Sequence, residues 1–275
     1  MDPNLVEASS KEDVIKGLVE AAVIEYAAKF KLRHISEKDD PNGTLNMKIH
    51  NAFIAGLGPE TQYYTALVRS LDSSLGNMLE KLAISIAELN YEVKKEVSGP
   101  LSSEQTNIIA DLLEKYKRNS QKPKISDYQI LRTKPPVDSA PIKRHVSDYY
   151  LIDRDTKRNI LIELKIGGDL DNKKARSEKE AILEQFAILS NTLPTEANID
   201  IFFATAYNRF GDDSPWTQSR VKQFFAEEEL VIGRDFWNLV TKDENGYSMV
   251  MQAYKQNSHH IKDALAEVRK IYLGV

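Results

Sequence analysis

The sequence contains no cysteine among its 275 residues. This absence excludes disulfide bonds, thiolate metal sites and a cysteine nucleophile, and it suits a reducing compartment. Long apolar runs are also missing, since no segment approaches the ~20 apolar residues that cross a bilayer. The first ten residues lack the basic and apolar regions of an export signal. We therefore expect a soluble, cytoplasmic protein with no membrane partner.

The chain has little excess charge of either sign. Its 37 Lys and Arg and 41 Asp and Glu give a formal net charge of -4, which argues against a partner held by net attraction alone, such as nucleic acid. The distribution is uneven, however. Residues 115–179 contain 17 basic and 9 acidic side chains, whereas the rest of the chain contains 20 basic and 32 acidic. A basic middle segment is thus flanked by acidic ends.

The first 120 residues have a helical pattern. Apolar side chains recur there at three- and four-residue steps, and the segment DDPNG at 39–43 is typical of a turn. The pattern predicts helices over residues 4–32, 52–76 with an interruption at 56–59, 78–97, and 102–118. We therefore expect a helical N-terminal region over residues 1–120.

The pattern changes near residue 122, where prolines separate short extended pieces. Residues 145–152 and 159–166 are rich in Tyr, Ile and Leu, and the polar residues 154–158 between them predict a β-hairpin. The pattern then predicts a helix over about 172–190, a strand over 199–206 and mostly helix over 216–273.

The predicted hairpin carries the most informative side chains. Because strand residues alternate between faces, Glu163 and Lys165 share one face of the second strand, opposite a uniformly apolar face. If the turn centres near residues 155–156, antiparallel pairing places Asp148 opposite Glu163 or Leu164. Two carboxylates and one ammonium then converge.

Such a cluster suits hydrolysis of a phosphodiester. Mg²⁺ prefers oxygen ligands and takes one or two protein carboxylates, with phosphate filling other positions. Asp148 and Glu163 are the candidate ligands, and the Leu164 carbonyl is a third. Lys165 could orient or deprotonate the attacking water and stabilise the developing negative charge. The alternative is a solvated strand face with a surface ion pair worth ~0–1 kcal/mol.

These residues resemble a known signature. Asp148, Glu163 and Lys165, in the frame HVSDYYLIDRDTKRNILIELKIGGDLDNKKARSEKE, resemble the PD-(D/E)xK motif of type II restriction endonucleases. Ser147 stands where the motif has proline, which is not a ligand. The segments ATAYNRF at 204–210 and RVKQFFAEEELVIGRDFWNLV at 220–240 are similar to TdeIII-type enzymes that cut GGNCC. Enzymes of the BsaWI type, which cut around CCGG, are the second possibility.

The resemblance covers residues 122–273 and implies an α/β (α+β) fold, a mixed sheet flanked by helices. It implies a nuclease catalytic core over 121–275. For the helical region over 1–120 we expect a role in wrapping DNA, in dimerisation, or in both. The resemblance further implies Mg²⁺-dependent cleavage of both strands of double-stranded DNA at a short, GC-rich palindromic site. A homodimer, or a tetramer on DNA, would match the symmetry of that site. Several of the enzymes that cut around CCGG carry the second acid of the motif on the helix that follows the strand. Because Glu163 already supplies this acid from the strand, Glu178 and Glu180 are not needed in its place.

Further residues are candidates for DNA contact or for an additional acid. Arg, Lys and Asn recognise phosphates and base edges, and the start of the 172–190 helix also suits phosphate. The candidate DNA contacts are Asn172, Lys173, Lys174, Arg176, Arg209 and Arg220. Glu88 and Glu92 lie about one turn apart on the predicted 78–97 helix and are candidates for an extra acid.

Two alternative functions stay open for the protein: a repair or recombination nuclease without base specificity, and a DNA-binding protein without catalysis.

Overall fold

The computed structural model of the chain describes residues 10–133 and 140–274. Its helices are α1 (Lys11–Ser36), α2 (Ala52–Ala55), α3 (Pro59–Ala87), α4 (Ser103–Lys117), α5 (Asn172–Thr192), α6 (Ser219–Lys222), α7 (Arg234–Thr241) and α8 (Gly246–Leu273). Its strands are β1 (Tyr91–Pro100), β2 (Ile142–Asp153), β3 (Asn159–Leu164), β4 (Ile199–Thr205) and β5 (Leu230–Ile232). Within the described ranges, no helix has the length and apolar character needed to cross a membrane.

The strands form one mixed sheet in the order β1-β2-β3-β4-β5. Strands β1, β2 and β3 pair antiparallel, whereas β3, β4 and β5 pair parallel. All six residues of the central strand β3 are buried, which explains why its sequence is almost continuously apolar. The expected mixed sheet with flanking helices is confirmed.

Helices cover both faces of this sheet. Neighbouring residues of a strand point to opposite faces, and Tyr149 and Tyr150 of β2 show the two environments. Tyr150 lies in the core that contains Leu113 of α4 and Phe186 of α5. The Tyr149 ring instead packs edge-on against Phe236 of α7, with ring centroids 6.0 Å apart. Strand β3 therefore lies between two packed layers.

The described part of the chain divides into two compact units, one within residues 1–85 and 248–275 and the other within residues 86–247. The first unit is helical. Within it, the Tyr26 hydroxyl lies 3.0 Å from the Ser74 hydroxyl, and the Tyr272 hydroxyl donates to the His34 carbonyl at 2.8 Å. The second unit holds the sheet. The functional division of the chain at residue 120 stays a prediction.

Several helix and strand predictions agree with the structure, but the predicted helix over 78–97 is wrong in its second half. Helix α3 continues through Gly76 and ends at Ala87, and β1 begins at Tyr91. The segment is a strand because its backbone pairs antiparallel with β2, for example Tyr91 with Asp153. The short strand β5, inside a region predicted as mostly helical, was also missed. The predicted helix over 4–32 starts later in the structure, and residues 4–9 lie outside the described part.

Candidate active site

The β2–β3 hairpin brings Asp148 beside the second strand, as its predicted turn requires. Tyr149 pairs with Ile162, and continuing this register by one position sets Asp148 level with Glu163. The Asp148 Oδ2 atom accepts a hydrogen bond from the Leu164 backbone N–H at 3.1 Å. This bond holds the Asp148 carboxylate at the carboxyl end of β3.

Lys165 lies at the centre of the acidic cluster. Its Nζ atom is 2.5 Å from Glu163 Oε1, 3.3 Å from Glu178 Oε1 and 3.9 Å from Asp148 Oδ2. Its backbone is also held, because the Lys165 N–H donates to the Ala204 carbonyl of β4 at 2.9 Å. Three carboxylates from β2, β3 and α5 thus surround one ammonium.

Glu178 is the member of this cluster that sequence reasoning set aside. It lies on α5, where it follows the buried Ala175 by three residues and precedes the buried Ile182 by four. Residues at these spacings share a helix face, so Glu178 is an acid within the apolar stripe that faces the sheet. An acid in a buried stripe was the signal that could have identified it.

Burial differs among these side chains. The Glu163 side chain is 10% exposed, against 31% for Asp148. Burial and the negative charge of Asp148 raise the pKa of Glu163 to about 9, and contact with Lys165 only partly opposes this shift. Burial alone would lower the pKa of the Lys165 ammonium, but the surrounding Glu163, Asp148 and Glu178 charges raise it overall. Lys165 is therefore a cation in a site that has more acids than bases.

A divalent cation fits this surplus of carboxylates. In the described part of the chain, no three His, Cys, Asp or Glu side chains form a ready set of metal ligands. Mg²⁺ does not need such a set, because it keeps several waters and uses one or two protein carboxylates. The oxygens of Asp148, Glu163 and Leu164 are hard donors of the type it prefers, and added positive charge would favour the ionised form of Glu163.

The predicted DNA-contact residues lie in two surroundings. Asn172, Lys173 and Lys174 are exposed in the first turn of α5, where the Asp171 carboxylate accepts from the Lys174 N–H at 2.8 Å. Arg220 is also exposed. The other two arginines face acids: Arg209 Nη1 lies 2.8 Å from Asp169 Oδ1, and Arg176 Nη1 lies 4.0 Å from Glu114 Oε2.

The structure corrects the premise for an extra acid at Glu88 or Glu92. Glu88 lies in the turn after α3, where its carbonyl accepts from Arg154, and Glu92 lies on β1. They therefore do not share a helix face. The Glu92 carboxylate lies 3.4 Å from Lys94 Nζ, and among the described residues neither acid contacts Lys165. The additional acid at the cluster is Glu178.

Comparison with known protein families assigns the class. The family described as "Type II restriction endonuclease, HinfI" matches residues 11–258, which is most of the chain and includes the acidic cluster. The protein is a type II restriction endonuclease, a site-specific deoxyribonuclease that binds DNA, as the resemblance predicted. It belongs to the HinfI family. The narrower resemblance to TdeIII- and BsaWI-type enzymes is not confirmed by this match.

No curated protein and no solved structure matches the chain.

Proposed function

We propose that Asp148, Glu163 and Lys165 are the catalytic residues of this endonuclease and that they form a PD-(D/E)xK site that works with Mg²⁺. The observation that carries the proposal is the convergence of both carboxylates on Lys165 at the edge of the β2–β3 hairpin. The family match supplies the reaction, hydrolysis of DNA phosphodiesters at specific sites.

Each residue has a role that follows from its position. Asp148, Glu163 and the Leu164 carbonyl would hold Mg²⁺, which, when bound, polarises the phosphate and lowers the pKa of water. The Lys165 ammonium lies on the same face, where it would orient the attacking water and stabilise negative charge that develops on the phosphate. The Leu164 N–H holds the Asp148 carboxylate and so fixes the position of one ligand.

The DNA substrate would lie across this edge of the sheet. Asn172, Lys173 and Lys174 are exposed at the start of α5, and we assign them contacts to phosphates or bases, together with Arg176, Arg209 and Arg220. To contact DNA, Arg176 would leave Glu114 and Arg209 would leave Asp169. Binding through these cations should weaken steeply as the salt concentration rises.

We further propose a homodimer, or a tetramer on DNA, because paired active sites cut both strands of a palindrome. A GC-rich recognition site stays a prediction from the resemblance to GGNCC and CCGG cutters. A cytoplasmic location, where such an enzyme meets incoming DNA, likewise stays a prediction.

A digest of plasmid DNA of known sequence, with and without Mg²⁺, tests the reaction. We expect discrete fragments in Mg²⁺ and none in EDTA, and the mapped ends give the recognition bases. Random degradation would indicate a nuclease without base specificity, and retarded but uncut DNA would indicate binding alone. Either outcome would contradict the proposal.

The Asp148→Ala substitution tests the assigned residues. We expect cutting in Mg²⁺ to fall by at least roughly 10²-fold, because a ligand and a fixed charge are lost at the reacting centre. Binding to the mapped site in Ca²⁺, measured by gel retardation, should persist. The control is Asp111→Ala, which removes an exposed acid of α4 in the same compact unit. An Asp148 variant that cuts at the wild-type rate would overturn the assignment.

A further inference from the structure

The segment that follows β4 exposes two aromatic side chains to solvent. Tyr207 is 48% exposed and Phe210 is 42% exposed. The buried aromatic residue of this segment is instead Trp216, whose ring centroid lies 6.1 Å from that of Phe203 in the core. Tyr207 and Phe210 therefore keep nearly half of their surface open to solvent, outside the core that Trp216 joins.

This segment starts at the same edge of the sheet as Lys165. Strands β3 and β4 are parallel, so their carboxyl ends lie side by side. The pairing extends past both strands, since the Lys165 N–H donates to the Ala204 carbonyl and the Ala206 N–H donates to the Ile166 carbonyl. Tyr207 is the next residue along the chain.

Contact with Gly167 fixes the position of the Tyr207 ring. A Cβ atom added at Gly167 would lie only 2.6 Å from the Tyr207 hydroxyl oxygen. The tip of the Tyr207 ring therefore lies over the backbone of Gly167, two residues beyond Lys165. The absence of a side chain at Gly167 allows this close approach.

Arg209 lies between the two aromatic residues in sequence and is held by an exchangeable contact. Its guanidinium carbon is 5.9 Å from the Phe210 ring centroid, and its Nη1 atom is 2.8 Å from Asp169 Oδ1. The Gln218 side chain donates to the same Asp169 oxygen at 3.1 Å. The Asp169 side chain is 67% exposed, and exposed ion pairs add little free energy. A phosphate or a guanine edge could therefore replace Asp169 as the partner of Arg209.

We propose that Tyr207, Arg209 and Phe210 form a DNA-contact surface beside the catalytic residues. The Tyr207 and Phe210 rings pack against bases or sugars, and Arg209 leaves Asp169 for the DNA. Aromatic rings with an adjacent arginine are a combination that proteins use to hold unstacked or deformed nucleic acid. This inference rests on the proposed function, because it requires the DNA to lie on the Lys165 edge of the sheet.

Binding measurements on Phe210→Ala test the aromatic part of the surface. The probe is a plasmid fragment that contains the mapped cut site, bound in Ca²⁺ by protein that also carries Asp148→Ala. We expect Phe210→Ala to weaken binding by roughly 10- to 100-fold, the range found for loss of one aromatic contact to nucleic acid. Thermal melting should be unchanged, because the Phe210 side chain is exposed.

The matched control is Ile125→Ala. Ile125 is 40% exposed and lines a cavity with Ile199 and Asp200, at the amino end of β4 and hence at the opposite edge of the sheet. We expect its DNA affinity to equal that of the parent protein. Equal affinity for Phe210→Ala and Ile125→Ala would overturn the proposal.

A double-mutant cycle tests the exchange of Arg209. Asp169→Asn should strengthen binding to a duplex that lacks the cut site, because Arg209 is released, and should have no such effect in an Arg209→Ala background. An equal gain in both backgrounds would mean that Asp169 acts through its charge alone and would overturn the exchange.

The two proposals fail in different ways. If wild-type protein leaves plasmid DNA uncut, the proposed function is wrong. If wild-type protein cuts and Asp148→Ala does not, while Phe210→Ala binds normally, only the DNA-contact surface is wrong.

Discussion

At the scale of single residues, the main feature of the site is one ammonium shared among three carboxylates. Lys165 contacts Glu163 of β3 and Glu178 of α5, and Asp148 of β2 lies slightly farther away. If Asp148 and Glu163 bind Mg²⁺, Glu178 is the acid that stays available to Lys165. We therefore assign Glu178 the role of a positioning residue that holds the ammonium near the phosphate.

The Glu178→Gln substitution should slow cleavage without preventing DNA binding. We expect a loss of roughly 10- to 100-fold in the single-turnover rate, as is usual when a partner that orients a reactive group is removed. Binding to the mapped site in Ca²⁺ should change little, and Glu178→Asp should restore part of the rate. Glu180→Gln is the control, since Glu180 is exposed on the same helix. Equal rates for the two glutamine variants would contradict this role.

At the scale of secondary-structure elements, a buried ion pair anchors helix α5. Lys179 follows Glu178 directly, and both Lys179 and Glu229 have side chains that are 1% exposed, with Lys179 Nζ 2.5 Å from Glu229 Oε1. The same ammonium lies 5.0 Å from the Tyr128 ring centroid and 4.8 Å from that of Phe225. Glu229 immediately precedes β5, so the pair fixes the helix that carries Glu178 to the edge strand of the sheet.

Removal of either partner should strongly destabilise the fold. For Lys179→Ala we expect a loss of about 3–5 kcal/mol in the free energy of unfolding, because the Glu229 charge is left buried without its partner. The double variant Lys179→Met with Glu229→Gln should recover part of this loss. Urea denaturation measures the free energy of unfolding of both variants. The control is Lys173→Ala, which changes an exposed lysine of the same helix. A loss below 1 kcal/mol for Lys179→Ala would contradict the anchoring role.

The elements also show which parts of the fold the sequence could predict. The β2–β3 hairpin was predictable because its strands are joined by a short polar turn and its pairing is local. Strand β1 was not, because its partner β2 lies about 50 residues away and its sequence does not break the helical pattern of α3. Helical spacing could place Glu178 on the buried face of α5, but it could not predict the contact with Lys165, since that contact depends on how α5 packs on the sheet.

At the scale of the whole molecule, net charge was a poor guide to the partner. The formal net charge of -4 disfavoured a polyanion, yet the family to which the chain belongs cuts DNA. The basic surplus lies in residues 115–179, within the compact unit formed by residues 86–247. Acidic side chains over the rest of the chain would limit binding to DNA without the site.

The origin of the proposed catalytic side chains has a consequence for how the two DNA strands would be cut. The side chains of Asp148, Glu163, Lys165 and Glu178 all come from residues 148–178 of one chain, so each protomer of a dimer would have a complete set.

A mixed dimer of one wild-type and one Asp148→Ala protomer should therefore break a single strand. Differently tagged protomers, purified as the mixed species, should convert supercoiled plasmid to open circles with little linear product. Linear product at the wild-type rate, or no product at all, would contradict this independence. The arrangement of residues 148–178 thus predicts that the enzyme can be made into a site-specific nickase by one substitution in one protomer.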